Sequence, residues 1–224
     1  MKISIIQHVA FEKPGLIAEW AQFHQHDVNI IEIFKQQKLP RIQDFDLLIV
    51  LGGPMSADDD ISWLFEERRL IKEVVDQNKP MLGICLGAQQ LAKAYGGRIV
   101  ATPKEVGWAS VASSAAIQPL FSEAVHCTAL HWHGEGFTLP EGAQRLFTSD
   151  LWENQGFMLK NAIGLQFHLE TTLETLQNII KNDAAFVENS KLEQSVADIL
   201  ATSPSAINKK ILFQILDYLS QAAS

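Results

Sequence analysis

Short apolar runs alternate with longer amphipathic segments through the first half of the chain. Residues 46–51 and 80–84 are almost continuously apolar, which is typical of strands buried on both faces of a parallel sheet. The segment 61–78 carries its apolar residues at helical spacing instead. This alternation predicts a doubly wound α/β fold with a mostly parallel central sheet flanked by helices. The predicted strands lie at 3–7, 28–34, 46–51 and 80–84, and the predicted helices at 14–23, 61–78 and 86–95.

A different pattern follows Arg98, with shorter strands first and amphipathic helices last. Because the Ser-Pro-Ser break at 203–205 is typical of a turn rather than a linker, the whole chain, 1–224, is expected to form one flavodoxin-like domain. Its core would occupy about 1–188, and 189–224 would be a C-terminal helical extension. The predicted strands lie near Val100 and at 106–111, 124–132, 144–149, 157–160 and 162–167, and the helices at 172–188, 192–201 and 206–219.

Composition and charge exclude several classes of function. The chain has 224 residues, of which 47% are hydrophobic and 20% charged, as in soluble globular proteins. Its net charge of −8 repels phosphate backbones, and no basic patch offsets it, so no nucleic-acid partner is expected. No apolar run approaches the ~18 residues of a membrane span, and the N-terminal run is too short for a signal peptide. We therefore expect a cytoplasmic protein without a membrane partner.

The motif GICLG at 83–87 follows a buried strand and precedes a predicted helix. A G-x-nucleophile-x-G motif in this context is a nucleophile elbow, in which the glycines permit a sharp turn that exposes the central side chain, here Cys85. The helix N-terminus lowers the pKa of such a thiol, and the thiolate is the attacking species. A lone cysteine is more often a small core residue, and this is the expectation for Cys127, which lies in an apolar run.

A cysteine nucleophile requires a nearby imidazole, and the imidazole requires an orienting group. His168 and Glu170 follow the apolar strand 162–167 and stand two residues apart, so they are expected to project to the same side. A His-x-Glu pair is more often a surface pair. However, Cys85 and His168 both follow the carboxyl ends of predicted parallel strands, where the sites of α/β proteins lie. The sequence therefore predicts that Cys85, His168 and Glu170 act together.

Glycines also follow the strand 46–51, at Gly52 and Gly53. At that place they leave backbone N–H groups free to bind a developing oxyanion, together with the N–H of Leu86 at the start of the next predicted helix. A plain turn is the alternative interpretation of the two glycines.

Together these residues resemble the class I glutamine amidotransferases of the triad type, as found in GMP synthetase and carbamoyl phosphate synthetase. The resemblance covers about 3–188 and rests on LGGPMS (51–56), GICLGAQQLA (83–92), WHGEGFTLP (132–140) and GLQFHLE (164–170), in that order. It implies a catalytic triad of Cys85, His168 and Glu170. It further implies an oxyanion hole from the backbone of Gly53 and Leu86. The substrate contacts that it implies, at the amino-acid end of glutamine, are Gly52, Gln89, Trp132, Gly134 and Glu135.

The implied reaction is attack of the Cys85 thiolate on the side-chain amide of glutamine. His168 would protonate the departing ammonia, and water would then cleave the γ-glutamyl thioester; no cofactor is implied. The chain departs from the family pattern at Leu169, where most members have proline, and in the segment 132–135, which is often Ser-His-Gly-Asp in GMP synthetases. No synthetase domain follows, so the implied ammonia acceptor is a partner synthetase subunit.

Three alternatives stand beside this interpretation. A γ-glutamyl peptide hydrolase would use the same triad on γ-glutamyl dipeptides or conjugates. A catalytically silent regulatory or binding subunit is the second, although an intact triad argues against it. Metal binding is the third, because His131 and His133 would project from one face of a strand. The sequence shows no third ligand beside these two histidines, so no metal site is predicted.

Overall fold

Nine strands form one mixed sheet at the centre of the computed structural model, which describes residues 1–113 and 120–223. The strands are β1 (Lys2–Gln7), β2 (Asp27–Glu32), β3 (Leu47–Val50), β4 (Met81–Ile84), β5 (Ile99–Ser113), β6 (His126–Phe137), β7 (Gln144–Thr148), β8 (Gly156–Leu159) and β9 (Ala162–Leu165). The helices are α1 (Leu16–Phe23), α2 (Ser62–Asp76), α3 (Leu86–Ala94), α4 (Leu173–Asp183), α5 (Val196–Ala201) and α6 (Ala206–Ala222). Short 3₁₀ turns occupy Ile33–Lys35, Ile42–Asp44 and Ala184–Val187.

The sheet has a parallel half and an antiparallel half. Its strand order is β2-β1-β3-β4-β9-β8-β7-β5-β6, and the strands from β2 to β9 in this order are parallel to one another. The strands β8, β7, β5 and β6 continue it as antiparallel neighbours. This arrangement confirms the predicted α/β fold. It also places the carboxyl ends of β1, β3, β4 and β9 along one edge, where a site is expected.

Helices cover both faces of the parallel half. Because side chains alternate along a strand, Ile5 and Ile49 pack with α1 and α6, whereas Ile6 and Val50 pack with α2 and α3 on the other face. The C-terminal helix α6 belongs to this core, since five of its apolar side chains are at most 3% exposed: Ile211, Leu212, Ile215, Leu216 and Leu219. The side chain of Asn208 also ties α6 to β6, through a bond of 2.9 Å to the Thr128 carbonyl oxygen.

The antiparallel half differs from the sequence prediction in its strand lengths. The two short strands predicted near Val100 and at 106–111 are one strand, β5, with a bulge between Ala101 and Glu105. Its partner β6 extends to Phe137 rather than ending at 132. Turn-forming residues interrupt the local pattern at 102–104 and 134–136, but the antiparallel pairing of β5 with β6 holds both segments extended.

Two helices of the last third, α4 and α5, are shorter than predicted, whereas α6 extends three residues further, to Ala222. The helix α4 ends at Asp183 and passes into a 3₁₀ turn, and α5 begins at Val196 instead of 192. Ser195 caps α5 by accepting from the N–H of Asp198, which sets this start. No helix within residues 1–113 and 120–223 is long and apolar enough to cross a membrane.

Candidate active site

Cys85 occupies the sharp turn between β4 and α3. Its φ of 50° is a left-handed conformation that non-glycine residues rarely adopt, and its side chain is 7% exposed. A Cβ atom on Gly87 would overlap the backbone of Val50, and one on Gly83 would lie 2.5 Å from the Gly87 carbonyl oxygen. Glycine is therefore required on both sides of Cys85 for the helix to start this close to the sheet.

His168 and Glu170 form a buried hydrogen-bonded pair. Nδ1 of His168 donates to Oε1 of Glu170 over 2.7 Å, and the two residues are 2% and 7% exposed. They lie beyond the end of β9, and the N–H of His168 is fixed by the Leu130 carbonyl oxygen at 2.8 Å. A Cβ atom on Gly52 would lie 3.3 Å from Cε1 of His168 and 3.4 Å from Cβ of Cys85. The imidazole and the cysteine side chain thus both lie beside Gly52, near each other.

The electrostatic environment favours a protonated imidazole. Burial by itself would lower the pKa of His168, but the Glu170 carboxylate and the adjacent Cys85 thiol outweigh burial and raise this pKa well above its usual value. A cationic imidazole beside a thiol stabilises the thiolate form. The three side chains can therefore hold a nucleophile and a proton donor at the same place.

The two candidate oxyanion donors border the same turn. Leu86 is the first residue of α3, so its N–H has no carbonyl partner within the helix. Gly53 lies against it, since a Cβ atom on Gly53 would be 3.1 Å from Cδ2 of Leu86 and 3.1 Å from Cβ of His8. A side chain at position 53 would therefore be tightly packed against His8 and Leu86.

His8 and Glu67 form a hydrogen-bonded pair that supports the loop at Gly52 and Gly53, and neither residue was predicted from the sequence. Nδ1 of His8 donates to the Gly52 carbonyl oxygen, and its Nε2 donates to Oε2 of Glu67, each over 2.8 Å. Burial by itself lowers the pKa of His8, but the Glu67 carboxylate beside it raises this pKa, and the net shift is upward. The Gly52 carbonyl is consequently occupied inside the protein. The available signal was the position of His8, directly after the first predicted strand.

A cavity of about 590 Å³ opens beside Cys85. Of the ten predicted site residues, seven line it: Gly53, Cys85, Gln89, Trp132, Gly134, Glu135 and His168. Gly52 and Glu170 line a small neighbouring space behind His168, and Leu86 is fully buried behind the turn.

The polar walls of the cavity are held by hydrogen bonds. Nε2 of Gln89 donates to the Glu135 carbonyl oxygen and to Oε1 of Gln166, each over 3.2 Å. Nε1 of Trp132 donates to the Asp183 carboxylate over 2.8 Å. These bonds join α3, β6 and the end of α4 around one space, so the predicted substrate residues from separate segments do meet.

Glu12, in the loop after β1, is a further cavity residue that sequence reasoning missed. Burial raises the pKa of its carboxyl group to about 7, although the nearby His168 and His8 oppose this shift. It lies over Gly52 and lines both the main cavity and the small space behind His168. An acidic residue thus lies near the imidazole at the edge of the cavity.

The fold and this cysteine–histidine–carboxylate geometry define the class as an α/β enzyme with a cysteine elbow. The sequence profile of the family described as Glutamine amidotransferase class-I matches residues 17–186. The chain therefore belongs to the class-I glutamine amidotransferase family of enzymes.

Individual relatives agree with this assignment. The chain is 28% identical to the glutamine amidotransferase-like protein YfeJ of Salmonella typhimurium over 238 positions, which cover 100% of this chain and 99% of that protein. It is 29% identical to gamma-glutamyl peptidase 4 of Arabidopsis thaliana, over 70% of each chain. It is also 29% identical to a glutamine-hydrolysing GMP synthase subunit of Sulfurisphaera tokodaii, over 69% of this chain and 85% of that protein. A solved glutamine amidotransferase of Thermotoga maritima superposes with a TM-score of 0.88 at 30% identity, covering 98% and 97% of the two chains.

Proposed function

We propose that this protein hydrolyses the side-chain amide of glutamine through a γ-glutamyl thioester on Cys85. The observation that carries the proposal is the meeting of Cys85, on its strained turn, with the buried His168–Glu170 pair at one cavity. A thiolate, an imidazole and an orienting carboxylate are the groups that nucleophilic acyl transfer requires.

The chemistry follows from the positions of these groups. The Cys85 thiolate attacks the amide carbon, and the electron pair of the carbonyl bond moves to the oxygen, which the N–H groups of Gly53 and Leu86 would stabilise. When the carbonyl re-forms, the C–N bond breaks and His168 protonates the nitrogen, which leaves as ammonia. Water then attacks the thioester, His168 accepts its proton, and glutamate leaves as Cys85 is restored. Glu170 keeps the imidazole oriented and stabilises its protonated form throughout.

The amino-acid end of glutamine would lie against the opposite wall. We assign its recognition to Gln89 and to the segment 132–135, with Trp132, Gly134 and Glu135 presenting backbone groups. Since the Gly52 carbonyl already accepts from His8, Gly52 would contribute through its small size and its N–H rather than its carbonyl oxygen. In this arrangement the leaving nitrogen would lie beside His168.

A second candidate is hydrolysis of γ-glutamyl peptides by the same three residues. The cavity volume of about 590 Å³ lies within the ~300–1,000 Å³ range of small-molecule sites. One of the relatives is named a gamma-glutamyl peptidase. The described residues that line the cavity include no lysine or arginine but four carboxylate residues: Glu12, Asp59, Glu135 and Asp183. A neutral or cationic leaving group fits this lining better than an acidic one.

Ammonia released here would be used by a partner synthetase subunit. One relative is named as one subunit of a GMP synthase, and we infer by analogy that a separate chain accepts the ammonia. If so, glutamine hydrolysis by the isolated protein is slow, and the partner accelerates it.

One set of assays distinguishes these functions. The purified protein is incubated with glutamine, with γ-glutamyl-lysine and with γ-glutamyl-glutamate, and the release of ammonia, amine and glutamate is measured. Ammonia from glutamine without cleavage of either dipeptide supports the first proposal. Faster cleavage of γ-glutamyl-lysine than of glutamine supports the second. If no compound is cleaved, with or without added cell extract, both catalytic proposals fail and a regulatory role remains.

Two cysteine variants control the assignment of the nucleophile. Cys85→Ala is expected to abolish turnover. Cys127→Ala is the matched control, because burial raises the pKa of the Cys127 thiol to about 11 and the residue does not line the cavity. Full turnover by Cys85→Ala, or an equal loss in both variants, would contradict the proposal.

A further inference from the structure

Three buried side chains converge where β5 pairs with β6. Glu105 of β5 stands directly opposite His133 in the register, and His131 projects from the same face of β6 two residues earlier. Glu105, His131 and His133 are 1%, 0% and 3% exposed. The sequence showed only the two histidines, because Glu105 lies far from them along the chain and reaches them through strand pairing.

One ligand atom from each of the three side chains lies within 4.8 Å of the other two, which is close enough for all three to contact one metal ion. Nδ1 of His131 lies 3.3 Å from Nε2 of His133 and 3.7 Å from Oε1 of Glu105, and Nε2 of His133 lies 3.5 Å from Oε2 of Glu105. Tetrahedral zinc, with ligands at about 2.0–2.2 Å, separates its ligand atoms by roughly 3.3–3.6 Å. The two distances to the carboxylate are too long for hydrogen bonds of ordinary strength.

The charge of Glu105 is not compensated by protein cations. Each of its oxygens accepts one neutral hydrogen bond, from Oγ of Ser149 at 2.8 Å and from Nε2 of Gln155 at 2.7 Å, and no lysine or arginine of the described residues pairs with it. A buried carboxylate without a cationic partner is costly, and a bound cation would supply the missing positive charge.

We propose that Glu105, His131 and His133 bind a divalent transition-metal ion, for which Zn²⁺ is the best match. Two imidazole nitrogens and one carboxylate oxygen form a ligand set that zinc accepts, with a fourth position left for a small ligand. Ser149 and Gln155 act as the outer hydrogen-bond donors that orient the carboxylate. His133 also lines the large cavity, which provides a route for the ion. The bound ion would fix β6 beneath the cavity wall at 132–135, and this site does not depend on the proposed function.

Zinc titration followed by calorimetry tests the proposal. The experiment uses the Cys85→Ala protein, freed of metal by a chelator, because the thiolate of Cys85 is itself a zinc ligand. One Zn²⁺ is expected to bind per chain. Glu105→Gln in the same background should weaken this binding by about 100-fold or more, since loss of outer-sphere groups alone typically costs 10–100-fold. The proposal would be overturned if the Cys85→Ala protein bound no zinc, or if adding Glu105→Gln left its zinc affinity unchanged.

A second pair of histidines provides the control for adventitious surface binding. The rings of His24 and His26 stack at 5.6 Å near the N-terminus, so the double variant His24→Ala/His26→Ala removes this competing surface site. The zinc affinity of this double variant is expected to equal that of the parent protein. Loss of zinc binding in the double variant would show that the ion binds at the surface histidines instead of at Glu105, His131 and His133. Since Glu105→Gln risks misfolding, X-ray absorption of zinc bound to the Cys85→Ala protein gives an independent measurement. Two imidazoles and one carboxylate are expected around the ion, whereas sulfur or a single imidazole would refute the site.

Discussion

Replacement of Glu170 by glutamine preserves the size of the side chain and removes its charge. In the wild-type protein the carboxylate accepts a hydrogen bond of 2.7 Å from His168, and both residues are almost fully buried. Removing one partner of a buried charge pair costs about 3–5 kcal/mol. The carboxylate stabilises the protonated His168 ring, which donates a proton to the leaving group in the proposed reaction. Because about 1.4 kcal/mol corresponds to a tenfold change in rate, the loss of this stabilisation should lower kcat by about 10²–10⁴-fold.

The pH dependence gives the sign of the same effect. Glu170 is the main group that raises the pKa of His168 against the effect of burial, so the variant should have a lower His168 pKa. The imidazole then loses its proton at lower pH, and the alkaline limb of the pH–rate profile moves to lower pH. Steady-state glutamate release, measured across the accessible pH range, reports both kcat and this limb.

Glu174→Gln is the matched control for this experiment. Glu174 has 71% of its side chain exposed and pairs with Lys13 at 3.0 Å, and such surface pairs contribute about 0–1 kcal/mol. Its kcat and pH profile are expected to equal those of the wild type. The reasoning is refuted if folded Glu170→Gln protein retains the wild-type kcat and alkaline limb, because His168 would then not depend on the carboxylate.

Two further predictions concern stability and are checked by unfolding. Gly87→Ala should lower the free energy of unfolding by about 1–3 kcal/mol or more, because its Cβ would lie 2.8 Å from the backbone carbon of Val50. Gly134→Ala is the control, since the nearest neighbour of its Cβ would lie at 3.7 Å, and it should change the melting temperature little. Equal shifts in the two variants would contradict the steric explanation. Ile215→Ala, in the buried face of α6, should lower the free energy of unfolding, measured in urea, by about 2–5 kcal/mol. Ile207 is 52% exposed, so Ile207→Ala should lower it by about 0.5 kcal/mol or less. Similar urea midpoints for the two variants would show that α6 is not part of the core.

The sequence by itself determined the α/β class, most elements of the parallel half and the position of the cysteine turn. These features are local, because buried strands, amphipathic helices and the two glycines around Cys85 each leave a pattern within a few residues. The pairing of His168 with Glu170 was also predicted from their spacing. Spacing alone does not set this pairing, since the two residues lie beyond the end of β9 and a backbone hydrogen bond to Leu130 fixes the histidine.

Only the tertiary structure decided which distant residues meet. The register of β5 with β6 brings Glu105 opposite His133, and the adjacent ends of β1 and β3 bring His8 to the Gly52 carbonyl. Glu12 likewise reaches the cavity because the loop after β1 folds over Gly52. No local periodicity encodes these contacts, since they depend on strand order and register across the sheet. The candidate nucleophile was therefore visible in the sequence, whereas His8, Glu12 and Glu105 became candidates only through the fold.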